Sequence, residues 1–534
     1  MKHGIRLLLI VLTAFLASPA FAALDAALVK RLASEDSDEK IAAIGQLVAT
    51  GDRQAEKLLK ALAEDSLYVS GGKVFFKEGD SAFDAASGAA IAHPPESADG
   101  VMVNNRIRGG LGSALASFRL LDPSRDVRLA AARELQAGVD ASLVPALEKA
   151  MAQETDAEIR RLLVVSHAQA SLQSDDPKKR LAAVQALAGS DNSNIKTLLL
   201  GVLEKKGDAF AEPDAAVRRE AAAALKGVEA RLGRAENIGR IFSGFSLGSI
   251  LLLAALGLAI TYGVMGVINM AHGEFLMIGA YATYVMQGLF RSHAPGWLDA
   301  YILAAIPFAF LVTALVGMAL ERLVIRHLYG RPLETLLATW GISLMLIQLA
   351  RTLFGPQNLE VANPVWMSGG LVFLSGVVLP WNRIAIVAFS LAVLALMWGL
   401  LNLTRLGLFV RAVTQNRSMA GCVGVHTGRI DMLAFGLGAG IAGLGGVALS
   451  QIGNVGPDMG QGYIVDSFMV VVLGGVGQLA GAAWAALGLG VFSKFLEGWT
   501  GAVIAKIAVL VFIVIFIQKR PQGLFALKGR FVES

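Results

Sequence analysis

Three polar residues interrupt an apolar stretch in the second half of this 534-residue chain: Asn269, His272 and Glu274, in the run Tyr262 to Glu274 that reads YGVMGVINMAHGE. Such side chains need polar partners, as in a polar cavity that forms a solute path, whereas lipid satisfies none of them. An ionised glutamate at mid-membrane costs about 2.5–3.5 kcal/mol on insertion scales, so Glu274 is expected to face protein or a polar cavity. Gly263 and Gly266 precede the group, and a helix broken at a Gly-rich joint is one way to line a polar path. A helix counted from Val267 at roughly 1.5 Å per residue places Glu274 about 10 Å along it. The candidate path residues are Tyr262, Asn269, His272, Glu274 and Tyr281, with Tyr284 and Gln287 further along. The alternative is that His272 and Glu274 only tie this helix to its neighbours.

A second group lies in the basic stretch Arg411 to Val425, RAVTQNRSMAGCVGV. Small residues at Ala420, Gly421 and Gly424 would let a short helix seat in a groove on a partner; the plainer reading is a basic loop that fixes topology. Other chemistry finds no support. His93 and His167 have no ligand-spaced partner, so no metal site is read, and no catalytic residues or cofactor site are read either. The single cysteine, Cys422, excludes intrachain disulfides and has no activating neighbour. No G-x-x-x-x-G-K-[ST] occurs, so ATP phosphates would have to be cradled by another chain.

The elements that must position these groups follow from where charge is missing. Residues 1–240 carry 31 Lys+Arg and 32 Asp+Glu, whereas 241–534 carry 16 and 10. With 55% hydrophobic residues and a mean hydropathy of +0.58, the second part belongs in a membrane. Apolar stretches at 241–264, 267–290, 300–325, 334–354, 384–404, 431–451, 463–477, 481–498 and 502–518 predict a polytopic α-helical domain of about eight or nine crossings. The pair 463–498 meets at a Gly-rich bend (Gly474, Gly475, Gly477, Gly481) and also reads as a re-entrant pair.

Residues 1–22 read as a signal peptide: Lys2 and Arg6, an apolar run, then Ala20-Phe21-Ala22. An exported amino terminus and nine crossings put the carboxyl terminus in the cytoplasm. Independently, Arg326, Arg331, Arg405, Arg411, Arg417, Arg429, Lys519, Arg520, Lys528 and Arg530 then fall inside, against Arg291 and Arg383 outside. Eight or ten crossings are the alternatives.

Residues 23–240 predict an exported helical domain. EKIAAIGQL (39–47), VRLAAAREL (127–135), KRLAAVQAL (179–187) and VRREAAAAL (217–225) share small residues and a closing leucine, and Asp-Pro or Glu-Pro precedes three of them as expected helix caps. A degenerate HEAT-type array and an irregular helical domain fit equally. LYVSGG followed by KVFFKEGD predicts a small β-hairpin, and the residues after it a loop.

Phe245 to Tyr281, FSLGSILLLAALGLAITYGVMGVINMAHGEFLMIGAY, resembles the opening of permeases of the branched-chain amino acid and amide type of ABC importer. Arg411 to Val425 is similar to that family's cytoplasmic loop, Ser467 to Gly490 to its Gly-rich penultimate region, and Arg520-Pro521-Gln522-Gly523-Leu524 to its closing motif. The long amino-terminal extension is similar to that of urea permease subunits. The resemblance implies a bacterial inner-membrane permease with no enzymatic activity of its own, moving urea or a similar small amide. It also implies partners: nucleotide-binding ATPase subunits, a second homologous permease subunit, and a periplasmic solute-binding protein. Within it, Arg411, Asn416, Ala420 and Gly424 would belong to a coupling helix that meets the ATPase; Ser418 stands where many permeases of other families carry Glu. A passive urea or amide channel, a branched-chain amino acid permease and a membrane-anchored scaffold remain as alternatives.

Overall fold

The computed structural model describes residues 24–525 apart from 80, 93, 94, 96, 97, 191, 208, 375 and 376. The signal peptide read at 1–22, His93, and the tail residues Lys528 and Arg530 lie outside the described residues. The chain separates into two compact units, residues 1–233 and 234–534.

Among the described residues, nine α-helices lie wholly within the first unit beside a small sheet: α1 (Ala26–Leu32), α2 (Ser37–Thr50), α3 (Arg53–Ala63), α4 (Asn105–Arg119), α5 (Arg125–Glu134), α6 (Val144–Gln153), α7 (Ala157–Ser171), α8 (Pro177–Leu187) and α9 (Ser193–Leu203). The expected hairpin is β1 (Leu67–Ser70) and β2 (Lys73–Glu78), closed by Gly71 and Gly72, both at positive φ as a two-residue turn requires. The following residues, expected as loop, instead add β3 (Ser81–Asp84), β4 (Ala90–Ile91) and β5 (Asp99–Gly100), giving an antiparallel sheet of order β4-β3-β2-β1-β5. Phe83 stacks on Phe76 across the β2–β3 pair, so one aromatic contact, rather than an alternating pattern, pins the third strand.

The four repeated segments fall in α2, α5, α8 and α10 (Ala215–Met265). Leu47, Leu135 and Leu187 are fully buried, and Leu225 is partly so. The second position of each copy is basic, and its head reaches backbone carbonyls. Lys40 donates to Met102 O, and Arg128 donates to the carbonyls of Asp122 and Pro123. Arg180 donates to those of Ser174 and Asp175, and Arg218 to those of Glu212 and Pro213. Arg128 also pairs with Glu154, and Arg180 pairs bidentately with Glu212 at 2.7 and 2.8 Å. Each carboxylate accepts in addition from backbone amides in the turn before the next helix. The caps differ from expectation in place: Asp176 caps α8 with Pro177 next, but Ser124 stands at the N-cap of α5, and Asp214 rather than Glu212 accepts from the first amides of α10.

The second unit continues from the apolar end of α10 through α11 (His272–His293), α12 (Tyr301–Leu323), α13 (Pro332–Phe354), α14 (Trp381–Leu403), α15 (Arg405–Gln415), α16 (Arg417–Cys422), α17 (Thr427–Ser450), α18 (Met459–Gly474), α19 (Leu479–Thr500) and α20 (Ala502–Lys519). Among the described residues seven helices are long and apolar enough to cross a membrane; α11 and the 16-residue α18 occupy the other two expected crossings. With 22 residues, α19 extends about 33 Å at 1.5 Å per residue, enough to span rather than re-enter. The packed centre is α11, α12 and α17. Close approach there depends on missing side chains: a Cβ on Gly443 would meet Thr313, one on Gly279 would meet the backbone of Gly443, and one on Gly257 would meet Gly438 O. Outer faces carry exposed Leu311, Leu315, Trp340, Leu396, Ile507 and Ile515, which suits lipid.

Candidate functional site: a helix break and a basic loop

Helix α10 ends at Met265, and Gly266 turns the chain with a left-handed φ of +67°. Residues 266–271 are then non-helical, and α11 begins only at His272 rather than at Val267. Six extended residues reach at most about 20 Å. They are used to double back, because His272 Nε2 lies 2.9 Å from Ala254 O, eleven residues before the end of α10. On the other side Glu274 Oε1 accepts from Ser343 Oγ at 2.9 Å, and Ser343 is the middle residue of α13. Both neighbours place the start of α11 near the mid-depth of the spanning helices. Unwound backbone at that depth needs partners. Met270 N donates to Thr339 Oγ1, and Ala271 N to Asn269 Oδ1.

His272 and Glu274 stand two residues apart, hence about 200° apart around the helix, and they point to different neighbours. The imidazole packs against α10 and the edge of Phe275. That is the helix-tying role. Glu274 and Tyr281, two turns apart, share the face toward α13, where the Tyr281 ring stacks on Phe354 at 4.4 Å. Glu274 is 1% exposed and in the first turn of α11, where the helix N-terminus favours a negative group. Its Oε2, like Asn269 Nδ2, His272 Nδ1 and Tyr281 Oη, is buried without a hydrogen-bond partner among the described residues. Asp458, paired with Arg351 at 2.7 Å, lies within electrostatic range of both Glu274 and Tyr281. Tyr262 is half-buried, edge-on to Phe468. Gln287 is drawn elsewhere, donating to Ala362 O beside Tyr301 and Gln451.

The basic stretch folds as α15, a joint at Asn416, and α16. Asn416 Oδ1 accepts from Met419 N and so caps α16. Gly424, with φ +91°, ends it in a Schellman-type turn in which Val425 N donates to Ala420 O. Ala420 is buried against the unit, so it anchors the short helix instead of facing outward. The outward apolar residues are Met419 (60% exposed) and Val423 (74% exposed), one turn apart, with Cys422 also exposed. Arg411 reaches Asn402 at 3.4 Å and helps line a cavity of about 460 Å³ between the ends of α10 and α14, α15 and the bend at Gly477. Neither Asn269 nor Glu274 lines that cavity. The closing motif packs on the same bend: Leu524 N donates to Leu473 O.

Residues 240–518 match the family of branched-chain amino acid transport system permease components. The chain belongs to this family. Its relatives include the high-affinity branched-chain amino acid transport system permease proteins BraD of Pseudomonas aeruginosa, 29% identical over 291 residues, and LivH of Escherichia coli K12, 27% identical over 292; each match covers 53% of this chain and 94% of the relative. The fructose import permease protein FrcC of Rhizobium meliloti is 31% identical over a shorter stretch, 26% of this chain and 36% of that protein. The protein is a multi-pass membrane permease component. The family match contains the break, α16 and the Gly-rich bend, and leaves the first unit outside it.

Four residues at these two places were not singled out from the sequence. Ser343 and Thr339 are unremarkable by type, and only the fold brings them to the break. Met419 and Val423 carried a visible signal, an i, i+4 apolar pair inside a basic loop.

Proposed function

We propose that the chain is the membrane-spanning subunit of an ABC importer that carries urea or a similar small amide, and that the solute passes the break at 266–274. One observation carries the reading: at the unwound start of α11, a buried carboxylate keeps one oxygen on Ser343 and leaves the other unpartnered among the described residues, and the Asn269 amide nitrogen of the same segment is likewise buried and unpartnered. A neutral amide offers two donors and an acceptor to such a pair. Tyr281 Oη extends the same face. The extension resembling that of urea permeases supports urea over larger solutes. The names of BraD and LivH favour a second reading, a branched-chain amino acid as cargo.

In this reading the chain sits in a bacterial inner membrane with its first unit periplasmic and its carboxyl terminus cytoplasmic. It works beside a homologous permease subunit, a periplasmic solute-binding protein and ATPase subunits that dock on α16, with Arg411, Asn416, Ala420 and Gly424 shaping the coupling region. Uptake of labelled urea, acetamide and leucine by cells with and without this chain decides the cargo. Uptake that persists without a nucleotide-binding partner would instead make it a passive channel. Orientation is checked with an impermeant thiol reagent on intact cells, which should label Ala186→Cys and spare Cys422.

A further inference from the structure

A cluster at the base of the second unit joins α16 to the helix break. The Arg417 guanidinium pairs with Asp431, a fully buried carboxylate at the start of α17, and lies 4.8 Å over the ring of Tyr329 in the connection between α12 and α13. The Tyr329 hydroxyl donates to Glu321 Oε1 at 2.8 Å and lies 3.1 Å from Sδ of Met265. Met265 is the last helical residue before the left-handed Gly266. Glu321 is itself buried, and its Oε2 has no hydrogen-bond partner among the described residues. The hydroxyl has one proton for the Glu321 carboxylate and the weakly accepting Met265 sulfur, with the Asp431 carboxylate also near, so the contact has alternative arrangements, on a carboxylate or on the sulfur.

We propose that Tyr329 is a positioning residue that transmits displacement of α16, through Arg417 on one side and Met265 on the other, to the unwound segment that holds Asn269 and Glu274. The proposal rests on the reading of α16 as the ATPase-docking helix. A rigid body at α16 cannot shift without carrying Arg417, and Arg417 cannot leave Asp431 without stranding a buried charge. The movement is therefore taken up at the stacked ring, whose far edge touches the end of α10. A discrete choice of hydroxyl partner is the kind of two-state contact through which such coupling runs.

The test uses the full-length chain assembled with its partner subunits in proteoliposomes, with Cys422→Ser and Ile268→Cys placing one thiol in the break. Thiol modification at position 268 is timed with and without ATP, alongside ATP hydrolysis and labelled urea uptake. In the otherwise unaltered chain the modification rate depends on nucleotide. Tyr329→Phe keeps the ring under Arg417 and removes the hydroxyl. It should retain the ATPase subunit and its hydrolysis, lose most of the nucleotide dependence at 268, and lower solute moved per ATP by about fivefold or more. Met265→Leu, which keeps volume and removes the sulfur, provides the same comparison should Tyr329→Phe fail to insert. Wild-type nucleotide dependence and wild-type uptake per ATP in both variants would overturn the proposal. Failure of the ATPase reading is separately visible, as no nucleotide effect at 268 and no retained ATPase in the unsubstituted chain, and would remove this proposal with it.

Discussion

The two units of this chain differ in how completely their buried glutamates are partnered. In the first, Glu154 and Glu212 each face an arginine and also accept backbone amides, so their lone pairs are used. In the second, Asp431 is paired with Arg417 through both oxygens, but Glu274 and Glu321 each keep an oxygen without a hydrogen bond among the described residues. A satisfied network fixes one structure, whereas a half-satisfied one is held at a cost and leaves capacity for another partner. On the proposed function, the difference separates a unit built to hold shape from one whose polar groups await a solute or a moving neighbour.

The comparison breaks most sharply at Arg180. Arg180→Ala would strand Glu212, which is 7% exposed at its side chain, and should cost the first unit about 3 kcal/mol, read as earlier thermal unfolding and faster proteolysis of that unit. An unchanged midpoint would mean the clasps are decoration. Next comes Glu274→Gln, which keeps shape and removes charge. On the path reading the protein still inserts, and urea uptake falls about tenfold or more, the loss expected for a charge-assisted hydrogen bond. Normal uptake together with Asn269→Ala would place the path elsewhere. A third effect is graded with pH. The hydrogen bonds from Arg128 and Arg180 hold Glu154 and Glu212 below the usual glutamate value of 4.5. The unfolded chain then binds more protons, so this stabilisation is present above about pH 4.5 and is lost as pH falls through the lower folded values. Thermal midpoints of the first unit from neutral to acid pH should show that decline, and Glu212→Gln should flatten it.

Much of this contrast was legible in the sequence, and the remainder was hidden for identifiable reasons. The charge-poor half, the Gly-flanked break and its three polar residues were visible because burial of polar groups among apolar ones is a composition signal. The hairpin was visible through Gly71-Gly72, but β4 and β5, two residues each, are too short for any alternation to register. The four motif copies were recognised by alanines and leucines, while their shared second-position base, the residue that clasps the turn, carried the more specific contact. The separation of His272 from Glu274 follows from helical spacing once the helix start is known, and that start depends on Gly266 and the doubling back to Ala254. The meeting of Tyr329 with Met265 joins residues 64 apart and has no local signature.

The finest test is at Ser343, the hydroxyl that holds one oxygen of Glu274. Ser343→Ala removes a single hydrogen bond, worth about 1 kcal/mol, and leaves the carboxylate in place with both oxygens free. If Glu274 is a structural tie between α11 and α13, that loss falls on the folded membrane unit, and the variant should come apart earlier on heating in detergent with uptake per inserted molecule unchanged. If Glu274 instead serves a solute, the carboxylate loses the group that orients it. The same loss of stability is then joined by a shift of about fivefold in the solute concentration for half-maximal uptake, with little change in maximal rate. Because Ser343→Ala alters no charge and little volume, a shift in affinity beside the loss of stability would assign the unpartnered oxygen to the solute, whereas a loss of stability alone would return Glu274 to the structural use that buried carboxylates have in the first unit.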